Sequence, residues 1–233
     1  MKWGAAIVAA GSGKRLGRPK QFIEIAGLPM VGWSIQTFAA MPEIARLVIA
    51  TEPESIDAML ALVRRLAPSL AHAVIAGGKT RQESARECVV ALADDCDAIF
   101  VHDGARPLIA TADVRAGMRE VRRGRGALLA EPVVDTIKRA DAGTLLVYET
   151  LERGELWAAQ TPQFAWAGDL LAAHERAREE RRAVTDDAAL LEYAGIEVVV
   201  VPASGQNFKV TLAQDVARAD AILRRRPRTL AAG

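Results

Sequence analysis

Residues 5–17, with the sequence AAIVAAGSGKRLG, decide the class of fold to which this chain belongs. Residues 5–10 are small or apolar throughout, which predicts a buried β-strand. The glycines that follow, Gly11, Gly13 and Gly17, predict a loop at the carboxyl end of that strand. Because glycine lacks a side chain, such a loop can bring its backbone N–H groups close to the oxygens of a bound phosphate.

Basic residues crowd the same loop. Lys14, Arg15, Arg18 and Lys20 place four cations within seven positions, a density that suits a nucleoside triphosphate. The stretch nevertheless fits neither of two phosphate-binding motifs. A P-loop would need Ser or Thr where Arg15 stands, and in the dinucleotide fingerprint the third glycine would come one position before Gly17. An ordinary tight turn is therefore the alternative.

Beyond this stretch, apolar runs alternate with segments of helical periodicity. The apolar runs are continuous, as in strands that have helices on both faces. Strands separated by helices favour crossover connections and a mainly parallel sheet, so the predicted class is α/β. The later predicted strands are 46–50, 73–76, 98–102, 127–130 and 197–201, and the predicted helices are 29–40, 54–66, 80–92, 111–122, 168–182, 186–194 and 212–225.

The pattern changes between residues 135 and 153. This segment lacks a helical stripe and carries a turn signal, Asp141-Ala142-Gly143, between two short strand-like runs. It therefore predicts a β-hairpin that projects from the domain as an arm. The length of 233 residues fits one α/β domain over residues 1–233.

Composition narrows the classes of function. The chain has 30 Lys and Arg against 29 Asp and Glu, and a net charge of +1 gives no support to nucleic-acid binding. No apolar run approaches the roughly 18 residues that span a membrane, so we expect no membrane partner. Two cysteines, Cys88 and Cys96, do not make a disulfide framework and favour a reduced, cytoplasmic setting.

Asp103 follows the predicted strand 98–102 and so lies at its carboxyl end. In open α/β sheets ligands bind at that edge, and a carboxylate there could hold Mg²⁺ together with phosphate oxygens. Arg106, three positions later, could meet an anionic substrate. The alternative is that Asp103 caps a turn and pairs with Arg106 on the surface.

Two further segments carry suitable chemistry. Gly78 and Ser84 follow the strand 73–76 and open a helix, so backbone donors and a hydroxyl could meet a base edge or a phosphate. The alternative is a glycine turn with Thr80 as the N-cap. Lys209, placed on a late strand in an apolar context, would need an anionic partner. A solvated lysine on an edge strand is its alternative.

Several short motifs recur in a fixed order and carry a resemblance. They are Ala9-Ala10-Gly11-x-Gly13-x-Arg15, Pro19-Lys20-Gln21, Gly78-x-x-Arg81-x-x-Ser84, His102-Asp103-x-Ala105-Arg106-Pro107, Asp135-Thr136-x-Lys138, Thr161-Pro162-Gln163, Thr185-Asp186 and Lys209-Val210-Thr211. Over about residues 4–225 the chain resembles the 2-C-methyl-D-erythritol 4-phosphate cytidylyltransferase family of non-mevalonate isoprenoid biosynthesis. The resemblance implies a Rossmann-like three-layer nucleotidyltransferase fold with a mostly parallel sheet and a projecting β-hairpin arm.

The resemblance also implies a reaction and a set of site residues. CTP and methylerythritol phosphate would give the CDP-alcohol and pyrophosphate with the help of Mg²⁺. The implied catalytic residues are Arg15, Lys20, Lys209 and Asp103, with Asp103 beside the metal. The implied nucleotide-binding residues are Ala9, Ala10, Gly11, Gly13, Gly78 and Ser84, and those for methylerythritol phosphate are Arg106, Thr161 and Thr185. The family is a homodimer through the arm, so Thr136 and Arg153 would serve the partner's active site.

Two other functions stay open at this point. One is a related cytidylyltransferase that acts on a pentitol phosphate such as ribitol 5-phosphate. It would share the triphosphate loop and differ in the pocket for the second substrate. The other is a non-catalytic nucleotide-binding module, against which the joint presence of Lys20, Asp103 and Lys209 argues.

Overall fold

Short apolar strands alternate with helices along most of the chain, and the strands assemble into one large sheet. The computed structural model describes residues 1–11, 20–204 and 206–226. Within them the strands are β1 Trp3–Ala9, β2 Glu24–Ile25, β3 Leu28–Pro29, β4 Ile44–Thr51, β5 Ala71–Ala76, β6 Ala98–Asp103, β7 Arg125–Pro132, β8 Lys138–Ala140, β9 Val147–Thr150, β10 Trp157–Trp166 and β11 Glu197–Pro202. The α-helices are α1 Met30–Ala39, α2 Ile56–Leu66, α3 Arg81–Ala93, α4 Thr111–Glu120, α5 Ala167–Glu179, α6 Asp187–Tyr193 and α7 Ala213–Arg225.

The large sheet has the strand order β11-β7-β10-β6-β1-β4-β5. β1 pairs in parallel with both β4 and β6, β4 pairs in parallel with β5, and β11 pairs in parallel with β7. Only β10, within this sheet, runs antiparallel to its neighbours β6 and β7. The prediction of a mostly parallel α/β sheet is therefore confirmed.

Helices cover both faces of the sheet and make a three-layer structure. On one face, Ala5 and Ile7 of β1 belong to a core that includes Phe38 of α1 and Val114 of α4. On the other face, Ala6 belongs to a core built from α3, α5 and α6. Because successive side chains of a strand point to opposite faces, one buried strand serves both cores.

The sequence patterns do not predict β10. Proline is disfavoured inside a central strand because it cannot donate to the ladder, and β10 contains Pro162. The pairing accommodates it with a bulge, since Ala159 lies opposite Ala130 whereas Gln163 lies opposite Leu128. Residues 160–162 therefore lie outside the regular ladder, where the missing N–H costs no hydrogen bond.

The predicted arm is present. β8 and β9 pair in antiparallel fashion and are exposed along their whole length. The Asp141 carboxylate accepts hydrogen bonds from the backbone N–H groups of Gly143 and Thr144 at 3.1 and 2.8 Å, which closes the turn.

Candidate functional site

The loops that leave β1, β5 and β6 meet at one edge of the sheet. Gly77, after β5, packs so closely on Ala10, after β1, that an added Cβ would lie 2.3 Å from the Ala10 Cβ. Gly104, after β6, donates its N–H to the Val8 carbonyl at 2.9 Å. Because β1, β5 and β6 are parallel strands of one sheet, all three loops lie at its carboxyl edge, where α/β proteins bind ligands.

Asp103, the last residue of β6, lies at the centre of this edge and is surrounded by cations. Its Oδ1 accepts a hydrogen bond from Arg81 Nε at 2.9 Å, and its Oδ2 accepts one from Lys209 Nζ at 2.8 Å. Arg106 Nε lies 3.9 Å from the same Oδ2. Burial opposes the ionisation of Asp103, but the charges of Arg81 and Lys209 outweigh it and hold the pKa of Asp103 below its ordinary value.

Arg81 connects this carboxylate to a second one. Its Nη1 donates to Asp187 Oδ2 at 2.9 Å, so one guanidinium bridges Asp103 and Asp187. Asp187 is 3% exposed, and His174 Nε2 lies 3.7 Å from its other oxygen. Despite its burial, the pKa of Arg81 is raised above its ordinary value by the two carboxylates.

Thr161 and Arg106 join the same site through the backbone. Thr161 Oγ1 accepts a hydrogen bond from the Asp103 N–H at 3.0 Å, and the Thr161 carbonyl accepts one from Asn207 Nδ2 at 2.7 Å. Arg106 Nη1 donates to the Asn207 carbonyl at 2.8 Å. These bonds attach the segment that carries Lys209 to β6 and β10.

Lys209 does not lie on a strand, and that part of the prediction is wrong. β11 ends at Pro202, and residues 206–211, which precede α7, belong to no strand or helix. Three bonds hold this segment: Asn207 Nδ2 donates to the Thr161 carbonyl, Arg106 Nη1 donates to the Asn207 carbonyl, and the Val210 N–H donates to the Ala105 carbonyl at 2.8 Å. The predicted need of Lys209 for an anionic partner is met by Asp103.

His102 is a part of the site that the sequence analysis did not assign. It is fully buried beneath the loop, and its ring nitrogens lie 3.1 Å from Ser34 Oγ, 3.2 Å from Thr161 Oγ1 and 3.2 Å from the Arg106 carbonyl. Burial lowers the pKa of His102 to about 4, so the ring is neutral at pH 7. His102 therefore links α1, β10 and the loop after β6 without adding charge.

The loop before α3 closes on itself. Ser84 Oγ accepts the Gly78 N–H at 3.1 Å and donates to the Thr80 carbonyl at 2.9 Å. Thr80 caps α3, and Glu83 completes a capping box, as the alternative interpretation of this segment expects. In this arrangement the Ser84 hydroxyl holds the shape of the loop, and the roles of Gly78 and Ser84 toward a nucleotide stay predictions.

The other predicted site residues lie at different distances from this centre. Lys20 lies close to Gly11, two residues after β1, because a Cβ added to Gly11 would lie 3.6 Å from the Lys20 Cε. Thr185 is exposed just before α6, two positions from Asp187. Thr136 and Arg153 belong to the arm, where Arg153 Nη1 donates to the Val134 carbonyl at 2.8 Å. Arg15 and Gly13 fall outside the described residues.

The His, Cys, Asp and Glu side chains of the described residues do not form a metal site by themselves. The described residues contain no group of three or more His, Cys, Asp or Glu side chains that could hold an ion. Both oxygens of Asp103, the predicted ligand, are engaged by Arg81 and Lys209. A divalent cation at this edge would thus depend on oxygen ligands from a bound phosphate.

None of the described helices is long and apolar enough to cross a membrane.

A protein-family model and curated relatives match this chain under the same name. The family model for 2-C-methyl-D-erythritol 4-phosphate cytidylyltransferase matches residues 4–225. The enzyme of that name from Halalkalibacterium halodurans is 38% identical over 98% of this chain and 100% of its own length. The one from Pelotomaculum thermopropionicum is 37% identical over 99% of this chain and 98% of its own.

Solved structures agree with the sequence relatives. The 4-diphosphocytidyl-2C-methyl-D-erythritol synthase from Anaerococcus prevotii superposes with a TM-score of 0.85 at 26% identity, covering 96% of each chain. The 2-C-methyl-D-erythritol 4-phosphate cytidylyltransferase from Thermus thermophilus gives a TM-score of 0.77 at 26% identity, covering 94% of this chain and 98% of its own.

Proposed function

This chain belongs to the 2-C-methyl-D-erythritol 4-phosphate cytidylyltransferase family, and on that premise we propose that it converts CTP and 2-C-methyl-D-erythritol 4-phosphate into CDP-methylerythritol and pyrophosphate for isoprenoid biosynthesis. The observation that carries the proposal is the cluster of Arg81, Arg106 and Lys209 around Asp103 at the carboxyl edge of the sheet. Membership in an enzyme family argues against a non-catalytic module. The relatives described above act on methylerythritol phosphate by name, and nothing favours the pentitol phosphate alternative.

The reaction needs positioning and charge neutralisation more than covalent chemistry by the protein. An oxygen of the methylerythritol phosphate attacks the α-phosphorus of CTP, and the bond from that phosphorus to the bridging oxygen of the β-phosphate breaks. Pyrophosphate leaves with the electron pair of that bond. Two anions approach each other in this step, so fixed cations lower its barrier.

Lys209 is suited to meet the reacting phosphates. Its ammonium has three donors, of which one is directed at Asp103. Its side chain is 38% exposed, so the remaining donors can reach a ligand at the open edge of the sheet. We assign to it the stabilisation of charge at the α-phosphate from the side of the second substrate.

Lys20 and Arg15 are proposed to neutralise the triphosphate from the opposite side. Lys20 begins a short 3₁₀-helix, Lys20–Phe22, and its aliphatic chain lies near Gly11. Ala9, Ala10, Gly11 and Gly13 would supply backbone contacts to the nucleotide. Gly78, whose N–H is held by Ser84 Oγ, would lie on the other side of the base.

Arg106, Thr161 and Thr185 are proposed to line the pocket for methylerythritol phosphate. Arg106 uses one donor on the Asn207 carbonyl, so other guanidinium donors remain for a substrate phosphate. Thr161 already accepts the Asp103 N–H, so its part includes holding Asp103 in place.

A divalent cation, Mg²⁺ in the expected case, is proposed to accompany the triphosphate. When bound, it would neutralise phosphate charge. Because both Asp103 oxygens are engaged, phosphate oxygens and water would supply most of its shell, with Asp103 as the nearest carboxylate. The steps assigned to Lys209, Lys20 and Arg15 do not depend on that ion.

We propose that two copies of this chain form a homodimer through the arm. Thr136 and Arg153 of each copy would then lie in the active site of the other. The apolar side chains of the arm support an interface, since Leu145, Leu146 and Tyr148 are each at least 68% exposed. The reduced, cytoplasmic setting stays a prediction that two free thiols, Cys88 and Cys96, support.

Nucleotide selectivity tests the proposed function. Pyrophosphate release is measured with methylerythritol phosphate and each of CTP, UTP, ATP and GTP. We expect kcat/KM for CTP to exceed the others by at least about 100-fold, because a base recognised by hydrogen bonds excludes bases with a different donor pattern. Equal rates with all four would contradict a cytidylyltransferase.

A further inference from the structure

Asp103 binds Lys209 tightly in a site where Lys209 also has to act on phosphate. The two charged atoms are 2.8 Å apart, and Asp103 is 10% exposed. If Lys209 were the sole partner of Asp103, moving it toward a phosphate would leave a buried carboxylate without a counter-ion. Leaving one partner of a buried pair uncompensated is strongly unfavourable.

Arg81 removes this difficulty because it binds the other oxygen of Asp103. Its Nε donates to Asp103 Oδ1 at 2.9 Å, while Lys209 occupies Oδ2. Arg106 cannot replace it, since its Nε is 3.9 Å away, beyond hydrogen-bond distance. With Arg81 in place, Asp103 keeps a charge-assisted hydrogen bond whether or not Lys209 stays.

Arg81 is itself held in position. It is the first residue of α3, and its Nη1 donates to Asp187 Oδ2 at 2.9 Å. Asp187 is the first residue of α6 and is 3% exposed. The two bonds fix the guanidinium plane between two buried carboxylates, so Arg81 stays at Asp103 instead of following an incoming phosphate.

We propose that Arg81, braced by Asp187, is a positioning residue that keeps Asp103 neutralised and thereby frees Lys209 to bind the reacting phosphate. The proposal rests on the function proposed above for Lys209. Neither Arg81 nor Asp187 needs to touch a substrate. One nitrogen of Arg81, Nη2, is buried without a hydrogen-bond partner among the described residues, so direct contact with a ligand is the competing explanation that the test has to separate.

A double-mutant cycle separates the two explanations. Arg81→Gln is combined with Asp187→Asn, which removes one charge of each sign and leaves no unpaired carboxylate at position 187. This pair is measured alone and together with Asp103→Asn. Where Asp103 is intact, we expect the pair of substitutions to lower kcat at least about tenfold with a small change in the KM for CTP. In a protein that already carries Asp103→Asn, we expect the same pair to lower kcat little further. An equal loss in both backgrounds would overturn the proposal in favour of direct contact.

Chemical labelling gives a readout that needs no substrate. The rate at which acetic anhydride labels Lys209 is followed by mass spectrometry. We expect slower labelling in the Arg81→Gln, Asp187→Asn variant, because Asp103 then depends on Lys209 alone, and fast labelling once Asp103→Asn is added. An unchanged rate would overturn the proposal. An inactive wild-type chain would contradict the proposed function only, since the labelling experiment still decides about Arg81.

The matched control is Arg86→Gln with Glu175→Gln. Arg86 lies on the same helix and donates to Glu175 Oε1 at 2.8 Å, so this pair also loses one charge of each sign. We expect no change in kcat or in Lys209 labelling. The thermal transition shows whether the Arg81→Gln, Asp187→Asn variant folds. If it does not fold, Arg81→Lys is measured in the same assays instead, because lysine keeps the charge but cannot bridge both carboxylates.

Discussion

Lys209 Nζ lies 2.8 Å from Asp103 Oδ2, although 106 positions separate the two residues in the chain. The contact joins the end of the buried strand β6 to the segment between β11 and α7, which has no regular secondary structure at Lys209. It places a cation and an anion at the edge where the loops after β1, β5 and β6 converge. The family assignment explains why this pair should exist, since a phosphate attacking a phosphate needs cations held in advance.

Lys209→Ala should lower kcat at least about 100-fold, because it removes a charge that is proposed to act on the reacting phosphate. The fold should survive, since Asp103 keeps its bond to Arg81. Steady-state pyrophosphate release and a thermal transition check both statements. Lys2→Ala, at the opposite end of β1, is the control and should retain full activity. A Lys209→Ala variant with unchanged turnover would remove Lys209 from the mechanism.

Thr161→Val should destabilise the protein by about 1–3 kcal/mol, because it leaves the buried Asp103 N–H without an acceptor. The hydroxyl that it removes lies 3.0 Å from that N–H and 3.2 Å from His102 Nδ1. Urea denaturation measures the loss. Thr150→Val on the exposed arm strand β9 is the control and should cost no more than about 0.5 kcal/mol. Equal losses for the two variants would show that the Thr161 hydroxyl does not hold the Asp103 backbone.

Because of His102, the free energy of unfolding should decrease as the pH is lowered from 6.5 to about 4. Burial lowers its folded-state pKa to about 4, while the unfolded chain takes up the proton near pH 6.5. The stabilisation is therefore complete above the unfolded pKa and is lost as the pH falls toward the folded pKa, by on the order of 3 kcal/mol.

Urea unfolding at a series of pH values measures this slope. His102→Gln should flatten the curve between pH 6.5 and pH 4, and His72→Gln, far from the site, is the matched control. His174 is also buried, and burial lowers its pKa too, so part of the slope should remain in His102→Gln. Superimposable slopes for wild type and His102→Gln would contradict the buried neutral ring.

The arm should act across a dimer. Subunits that carry Arg153→Ala are mixed with subunits that carry Lys20→Ala, and each variant alone should be nearly inactive. If the arm of one subunit completes the site of the other, mixed dimers contain one site with neither change, so activity should partly return. Mixtures no more active than their components would count against shared sites.

Local chemistry in the sequence predicts much of this structure. Continuous apolar runs predict the parallel strands, the Asp141 turn predicts the arm, and Asp103 is correctly placed at the end of its strand. β10 escapes prediction because Pro162 breaks the strand pattern, and only the paired strand β7 reveals the bulge that accommodates it.

Pairings across the fold cannot be predicted from local patterns. Arg81 stands inside a recognised motif, but nothing in its neighbourhood specifies Asp103 and Asp187 as its partners, 22 and 106 positions away. Lys209 is predicted on a strand because its neighbours are apolar. Its true conformation depends on Asn207 binding the Thr161 carbonyl, a contact between segments 46 positions apart.

The most direct test compares the alcohol phosphates with CTP as the common donor. Pyrophosphate release is measured with 2-C-methyl-D-erythritol 4-phosphate and with ribitol 5-phosphate at equal enzyme concentration. We predict that kcat/KM is higher for methylerythritol phosphate by at least about 100-fold, with CDP-methylerythritol as the product. Faster turnover of ribitol 5-phosphate, or no turnover of methylerythritol phosphate by folded protein, would contradict the function assigned to this site.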